Sequence, residues 1–194
     1  FGINKPAEAV DNSLLPHVTE SGVKIMSMNM LLPNATDPVL WRGPVISGVV
    51  KQFWEDVQWG DVDFLFVDMP PGTGDVPLTV FQSLPINGIL IVSTPQSLVS
   101  MIVDKAMNMA QMMQVPVLGM VENMRFLRCP DCGKEIPLFG SDDHVDNHTV
   151  PVLERIPLDP TVAAACDAGK LEQAEIDYLA KTAVMLTETF GKKQ

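Results

Sequence analysis

The sequence predicts an α/β fold, a mostly parallel sheet with helices on both of its faces. Three observations predict it. Short apolar runs without alternation recur at 62–67, 88–93 and 117–121, the pattern of strands buried on both sides. Between them lie segments in which apolar residues return at helical spacing. Each run also ends in a polar residue or a Pro/Gly turn, as strands that feed crossover helices do.

Taken in order, the first strand is expected over 23–28, and 33–38 reads as loop. Trp41-Arg42-Gly43-Pro44 leads into a helix with Pro44 near its first turn, where a missing N–H is tolerated. Val45, Ile46, Val49, Val50, Phe53, Trp54 and Val57 give that helix one apolar face. Residues 62–67, VDFLFV, form the next strand; Asp68 ends it and PPGTGD follows as a loop. A strand at 88–93 leads to a helix at 97–114 with a narrow polar stripe of Ser97, Ser100, Asp104, Asn108 and Gln111. The methionines of that helix, Met101, Met107, Met109, Met112 and Met113, are expected to pack in the core. The strand at 117–121 ends in Glu122-Asn123, and a strand at 150–156 ends at Pro157-Leu158-Asp159-Pro160. An alanine-rich, helix-like stretch at 162–166 carries Cys166 as a small buried side chain, and a helix at 171–190 closes the chain. The 194 residues suit a single domain, 1–194, with a cysteine-bearing segment at 124–148 inside it.

Composition excludes several classes of function. Thirteen basic against 24 acidic residues give a net charge of −11, which argues against a nucleic-acid partner, since binding a polyphosphate backbone needs clustered Lys and Arg. No apolar run approaches the length of a membrane span, so no membrane partner is expected. Three cysteines, two of them in a CxxC pair, fit a reducing, cytoplasmic compartment better than a disulfide scaffold.

In a parallel sheet, ligands sit beyond the carboxyl ends of the strands. Here those ends carry Asp68, Thr94-Pro95-Gln96, Asn123 and Pro157-Leu158-Asp159, so one rim is the expected site. A carboxylate directly after an apolar strand, such as Asp68, is how nucleotide hydrolases hold magnesium; a capped strand end is the plainer alternative. Gly72-Thr73-Gly74 lets backbone amides approach a phosphate. A dinucleotide-binding fingerprint fails, because Pro77 stands where the third glycine belongs. The Asn123 carboxamide offers donor and acceptor side by side, matching an adenine edge, and is equally suited to capping. The turn Pro157-Leu158-Asp159 could wall a base pocket or simply turn the chain.

Cys129-Pro130-Asp131-Cys132-Gly133 supplies two thiolates, half of a four-ligand site. The other half could come from His144 and His148, from a second copy of the chain, or from nothing. The histidines complete C-x2-C-x11-H-x3-H, one residue short of the zinc-finger interval, on a stretch whose Gly140-Ser141-Asp142-Asp143 is a poor helix interior.

Six motifs occur in order: WRGP (41–44), DMPPGTGD (68–75), STPQ (93–96), VENM (121–124), CPDCG (129–133) and IPLDP (156–160). Together they resemble the Mrp/Nbp35 family of iron–sulfur cluster carrier ATPases, in the MinD-like, deviant-Walker group of P-loop NTPases. The resemblance implies an ATP-dependent carrier that holds one 4Fe–4S cluster at a homodimer interface and passes it to apoproteins, with an assembly scaffold as a further partner. It implies Asp68 as the catalytic Mg2+-binding residue and Gly72, Thr73, Gly74 and Asp75 as the loop sensing the γ-phosphate of ATP. It implies adenine contacts from Asn123, Pro157 and Asp159. It further implies that Cys129 and Cys132 share the cluster with the same pair of a second chain.

The family's Gly-rich P-loop, G-K-G-G-x-G-K-[ST], occurs nowhere in this sequence. The resemblance therefore leads one to expect that about two strand–helix units, about 60 residues, are missing ahead of Phe1, and that the chain by itself does not hydrolyse ATP usefully. Two other classes compete: a non-enzymatic zinc-binding module using Cys129, Cys132, His144 and His148, and a MinD- or ParA-like positioning ATPase. The latter would not need CPDCG, and residues 171–190 are not the basic amphipathic tail it would carry.

Overall fold

In the computed structural model the described residues are 1–11, 13–34, 36–37, 43–139 and 150–191, without the side chains at 43, 44, 97, 98 and 100. Trp41, Arg42, His144 and His148 lie outside them. The chain forms two compact units: Phe1–Leu84 with Ala165–Ala174, and Pro85–Ala164 with Glu175–Gln194. Among the described residues no helix is long and apolar enough to cross a membrane.

The first unit starts with β1 (Glu8–Val10), paired antiparallel with β2 (Ser13–Leu15). β3 (His17–Val18) then pairs antiparallel with β4 (Lys24–Ile25). The strand expected over 23–28 is thus shorter than its apolar run. Ser27 stops it, because its hydroxyl accepts the Asn29 N–H at 3.3 Å and caps a 3-10 helix, Met28–Leu31. α1 (Gly43–Glu55) places Pro44 in its first turn as expected. α2 (Asp75–Ser83), whose first residue ends the expected PPGTGD loop, packs on α1, with Ser47 Oγ 2.8 Å from Thr79 Oγ1.

Residues 62–67 depart most from expectation. Among the described residues they join no ladder, and Phe66 is 71% exposed. Phe64 and Phe66 share one side of the run, with ring centroids 6.3 Å apart. Continuous apolarity specifies a segment suited to burial, but not the strand it pairs with.

The second unit holds the parallel sheet. β6 (Val117–Arg128) is its centre, with β5 (Ile89–Ser93) parallel on one side and β8 (Val152–Pro157) parallel on the other. α3 (Ser97–Met112) packs on β5, and Ile91, Val103 and Met120 form a buried cluster with Met107 packed against it. Each such side chain contributes about 1.5–3 kcal/mol by leaving water. Of the other methionines expected in the core, Met101 and Met112 are exposed instead. The helix ends two residues early, where Gln114 adopts φ 57°.

β6 runs past its expected end at Glu122-Asn123. The parallel ladder with β5 does stop there, at Ser93↔Glu122, but the strand turns at Met124 (φ 53°) and continues. Its last residues pair antiparallel with β7 (Glu135–Pro137), Phe126 opposite Pro137 and Arg128 opposite Glu135. α4 (Pro160–Asp167) follows β8, and Cys166 on it is exposed rather than buried.

The closing helix is shorter than periodicity suggested. Leu171–Gln173 form a 3-10 turn, and α5 starts only at Ala180, running to Phe190. Its start is set by a carboxylate from the sheet: Glu154 Oε1 accepts the N–H groups of Lys181 (2.8 Å) and Thr182 (3.2 Å). A strand residue thus satisfies two of the four donors that a helix N-terminus leaves open.

Candidate functional site

The six residues between Arg128 and Glu135 form the turn of the β6–β7 hairpin. The Cys129 N–H donates to the Lys134 carbonyl and the Gly133 N–H to the Cys129 carbonyl, both at 2.9 Å. Gly133 sits at φ 71°, a conformation a side chain would strain. The loop closes around the Cys129 sulfur. The Cys132 N–H above all, then the Asp131 N–H and the Cys132 thiol, hydrogen-bond to it and hold its pKa below the usual thiol value. Cys129 is half-buried and Cys132 exposed. The result is two soft donors on a hydrogen-bonded turn, reachable from solvent, one of them biased toward thiolate. Among the described residues no group of three or more His, Cys, Asp or Glu gathers to hold a metal ion.

The strand leading to this turn is braced. Arg128 lies 5.9 Å above the Phe126 ring and 3.3 Å from Glu135. Pro157, at the end of β8, pairs with Phe126, and the Leu158 N–H donates to the Phe126 carbonyl at 2.7 Å. The turn expected to wall a base pocket is therefore fastened to the cysteine strand.

Asp159 caps α4. Its Oδ1 accepts the Thr161 N–H (2.8 Å) and hydroxyl (2.7 Å), and its Oδ2 accepts the Tyr178 hydroxyl at 2.7 Å. The Tyr178 hydroxyl first, then Thr161, lower the Asp159 pKa below the usual carboxylate value; Tyr178 is pushed up in turn, first by that bond. Cys129, Gly133, Leu158, Asp159 and Tyr178 line a cavity of about 380 Å³.

Asn123 stands where the parallel ladder ends, half-buried, with its Oδ1 accepting the Met124 N–H at 2.9 Å. Beside it is a residue of the VENM motif to which the sequence assigns no role. Glu122 is 1% exposed, accepts from Arg155 Nε at 3.0 Å and lies 3.7 Å from Arg125 Nε, while its buried Oε1 has no hydrogen-bond partner among the described residues. A glutamate inside an apolar strand was the available signal for a buried ion pair. Tyr178, inside a predicted helix, gave no such signal.

Asp68 and the loop after it belong to the first unit. Asp68 is exposed and follows the apolar run directly. Gly72, at φ 94°, bends the loop so that Gly74 becomes the N-cap of α2 and Asp75 its first residue. A carboxylate, a glycine loop and a helix N-terminus thus follow within eight residues, an order suited to magnesium and phosphate. Asn123, Cys129, Cys132, Pro157 and Asp159 all lie in the second unit, and four of them are joined there by β6 and the cavity beside it.

Residues 1–189 match the family described as ParA, NUBPL iron-transfer P-loop NTPase. The iron–sulfur cluster carrier protein of Clostridium perfringens (strain 13 / Type A) is 41% identical over 184 residues, 89% of this chain and 64% of the relative. That of Methanocaldococcus jannaschii is 44% identical over 160 residues, 80% of this chain and 55% of the relative. This chain thus spans less than two thirds of the length of either. A solved nucleotide-binding protein from Archaeoglobus fulgidus, in complex with ADP and with cobalt found in it, superposes with a TM-score of 0.74 at 37% identity, covering 89% of this chain and 68% of that one.

Proposed function

This chain belongs to the NUBPL-type iron-transfer P-loop NTPases of the ParA group, and from that membership we propose that it works as an iron–sulfur cluster carrier. The observation that carries the proposal is the CPDCG hairpin, with two thiols on a hydrogen-bonded, reachable turn and amides aimed at the first sulfur. Such donors suit a 4Fe–4S cluster, which takes four thiolates. Each chain offers two from this turn, so the cluster is shared between two copies across a two-fold axis. The cluster is cargo, received from an assembly scaffold and delivered to apoproteins in the reducing cytoplasm.

ATP with Mg2+ would supply the switch. Asp68 offers the hard oxygen donor that magnesium takes, and Gly72, Thr73, Gly74 and Asp75 form the loop facing the γ-phosphate. Asn123, Pro157 and Asp159 would contact adenine, with the donor side of the Asn123 carboxamide left for the base. No Gly-rich P-loop sequence occurs in the 194 residues, so we propose that this chain alone turns ATP over negligibly.

Anaerobic reconstitution with iron and sulfide tests the carrier assignment. The expected product is brown, holds about two irons per chain, and does not form with Cys129→Ser/Cys132→Ser. One tightly held zinc per chain that depends on His144 and His148 would overturn it.

A further inference from the structure

Tyr178 is the only tyrosine in the chain, and no role assigned so far uses it. Thr161 already supplies the bonds that make Asp159 the cap of α4. The Tyr178 bond, at 2.7 Å to the other carboxylate oxygen, is surplus to capping. What it does is tie the segment ahead of α5 to the turn Pro157-Leu158-Asp159. That turn is itself fastened to the cysteine strand through Leu158 N–H and the Phe126 carbonyl. Tyr178, Asp159 and Cys129 then face one cavity of about 380 Å³. Because Leu158 is bonded to Phe126, three residues before Cys129, a movement of the base-contacting turn pulls on the strand that carries the cluster sulfur.

We propose that Tyr178 is a positioning residue that, by holding Asp159, sets the base-contacting turn against the cysteine hairpin and couples nucleotide occupancy to the accessibility of Cys129. The proposal rests on the carrier assignment above and names a regulatory route within it. Coupling of this kind has a defined thermodynamic form. If nucleotide changes the affinity for cluster by some factor, cluster changes the affinity for nucleotide by the same factor.

The test uses the apo protein, ADP and iodoacetamide, reading Cys129 alkylation by site-resolved mass spectrometry. In the wild type, ADP is expected to change the alkylation rate by about fivefold or more. Tyr178→Phe is expected to lose most of that change while cluster uptake on reconstitution stays within about twofold of wild type. Thr161→Val, which weakens the cap but leaves the Tyr178 bond, is expected to keep the ADP effect. A full ADP effect in Tyr178→Phe, or an equal loss in Thr161→Val, overturns the proposal. If Tyr178→Phe does not fold, hydrogen exchange at the Leu158 amide of the wild type reads the same device. ADP is expected to slow it, and an unchanged rate overturns the coupling. A wild type that takes up cluster but ignores ADP overturns the coupling and leaves the carrier assignment standing; a wild type that takes up no cluster overturns both.

Discussion

Asp159 and Tyr178 form a hydrogen-bonded pair whose two partners titrate in opposite directions. Asp159 is held below the usual carboxylate value, so what it contributes to stability is present above that value and is lost as pH falls through its own, lower one. Tyr178 is raised above the usual value of about 10, so its contribution is intact below that value and is lost as pH climbs through the higher one. The pair therefore holds the turn through the whole neutral range and releases it only at the two extremes. Because the chain has one tyrosine, an ultraviolet tyrosinate titration reads this site alone. The expected midpoint lies above about 10 in the wild type and moves down toward that value in Asp159→Asn; an unshifted wild-type midpoint contradicts the bond. At this scale the sequence was legible for position rather than role: Asn123 stands where the parallel ladder ends, and Asp159 turns the chain after the next strand. Tyr178 was not legible, because its partner stands 19 residues away and only the fold brings the two together.

At the scale of elements, what the sequence concealed is what long-range contacts decide. The strands near 88–93, 117–121 and 150–156 were readable, since an apolar run bounded by turn residues has few alternatives. The extension of β6 and its hairpin were not, because β7 is Glu135-Ile136-Pro137, three exposed residues with no apolar signature. The closing helix was overextended for a related reason. Helix formers fill 171–179, but the start of α5 is chosen by Glu154, from another element. Glu154→Ala is accordingly expected to lower stability by about 1 kcal/mol, seen as an earlier denaturation midpoint at unchanged denaturant slope. Glu154→Gln keeps the one oxygen that accepts both N–H groups and loses the charge, and is expected to lose about half as much. Equal loss in the two variants would place the effect in charge rather than in the cap.

For the molecule as a whole, the ligand count makes a claim about association. On the proposed sharing, a cluster held by two hairpin pairs would join two chains and make loading and dimerisation one event. Sedimentation under anaerobic conditions is expected to show the reconstituted protein at twice the mass of the apo chain, returning to the apo value on chelation of iron. A loaded protein of single-chain mass would contradict the shared cluster.

The division into units carries a further consequence, for the order in which the protein can be made. The first unit includes Ala165–Ala174 as well as Phe1–Leu84, and Thr19 donates to Glu172 across that gap at 2.7 Å. Chains leave the ribosome from the N-terminus at about 5–20 residues per second. Residues 1–84 are thus synthesised ahead of the segment that completes their unit, waiting until everything from Pro85 to Ala164 has emerged. The strands of the parallel sheet become available within that wait, so on the ribosome residues 85–164 can organise before the first unit is complete.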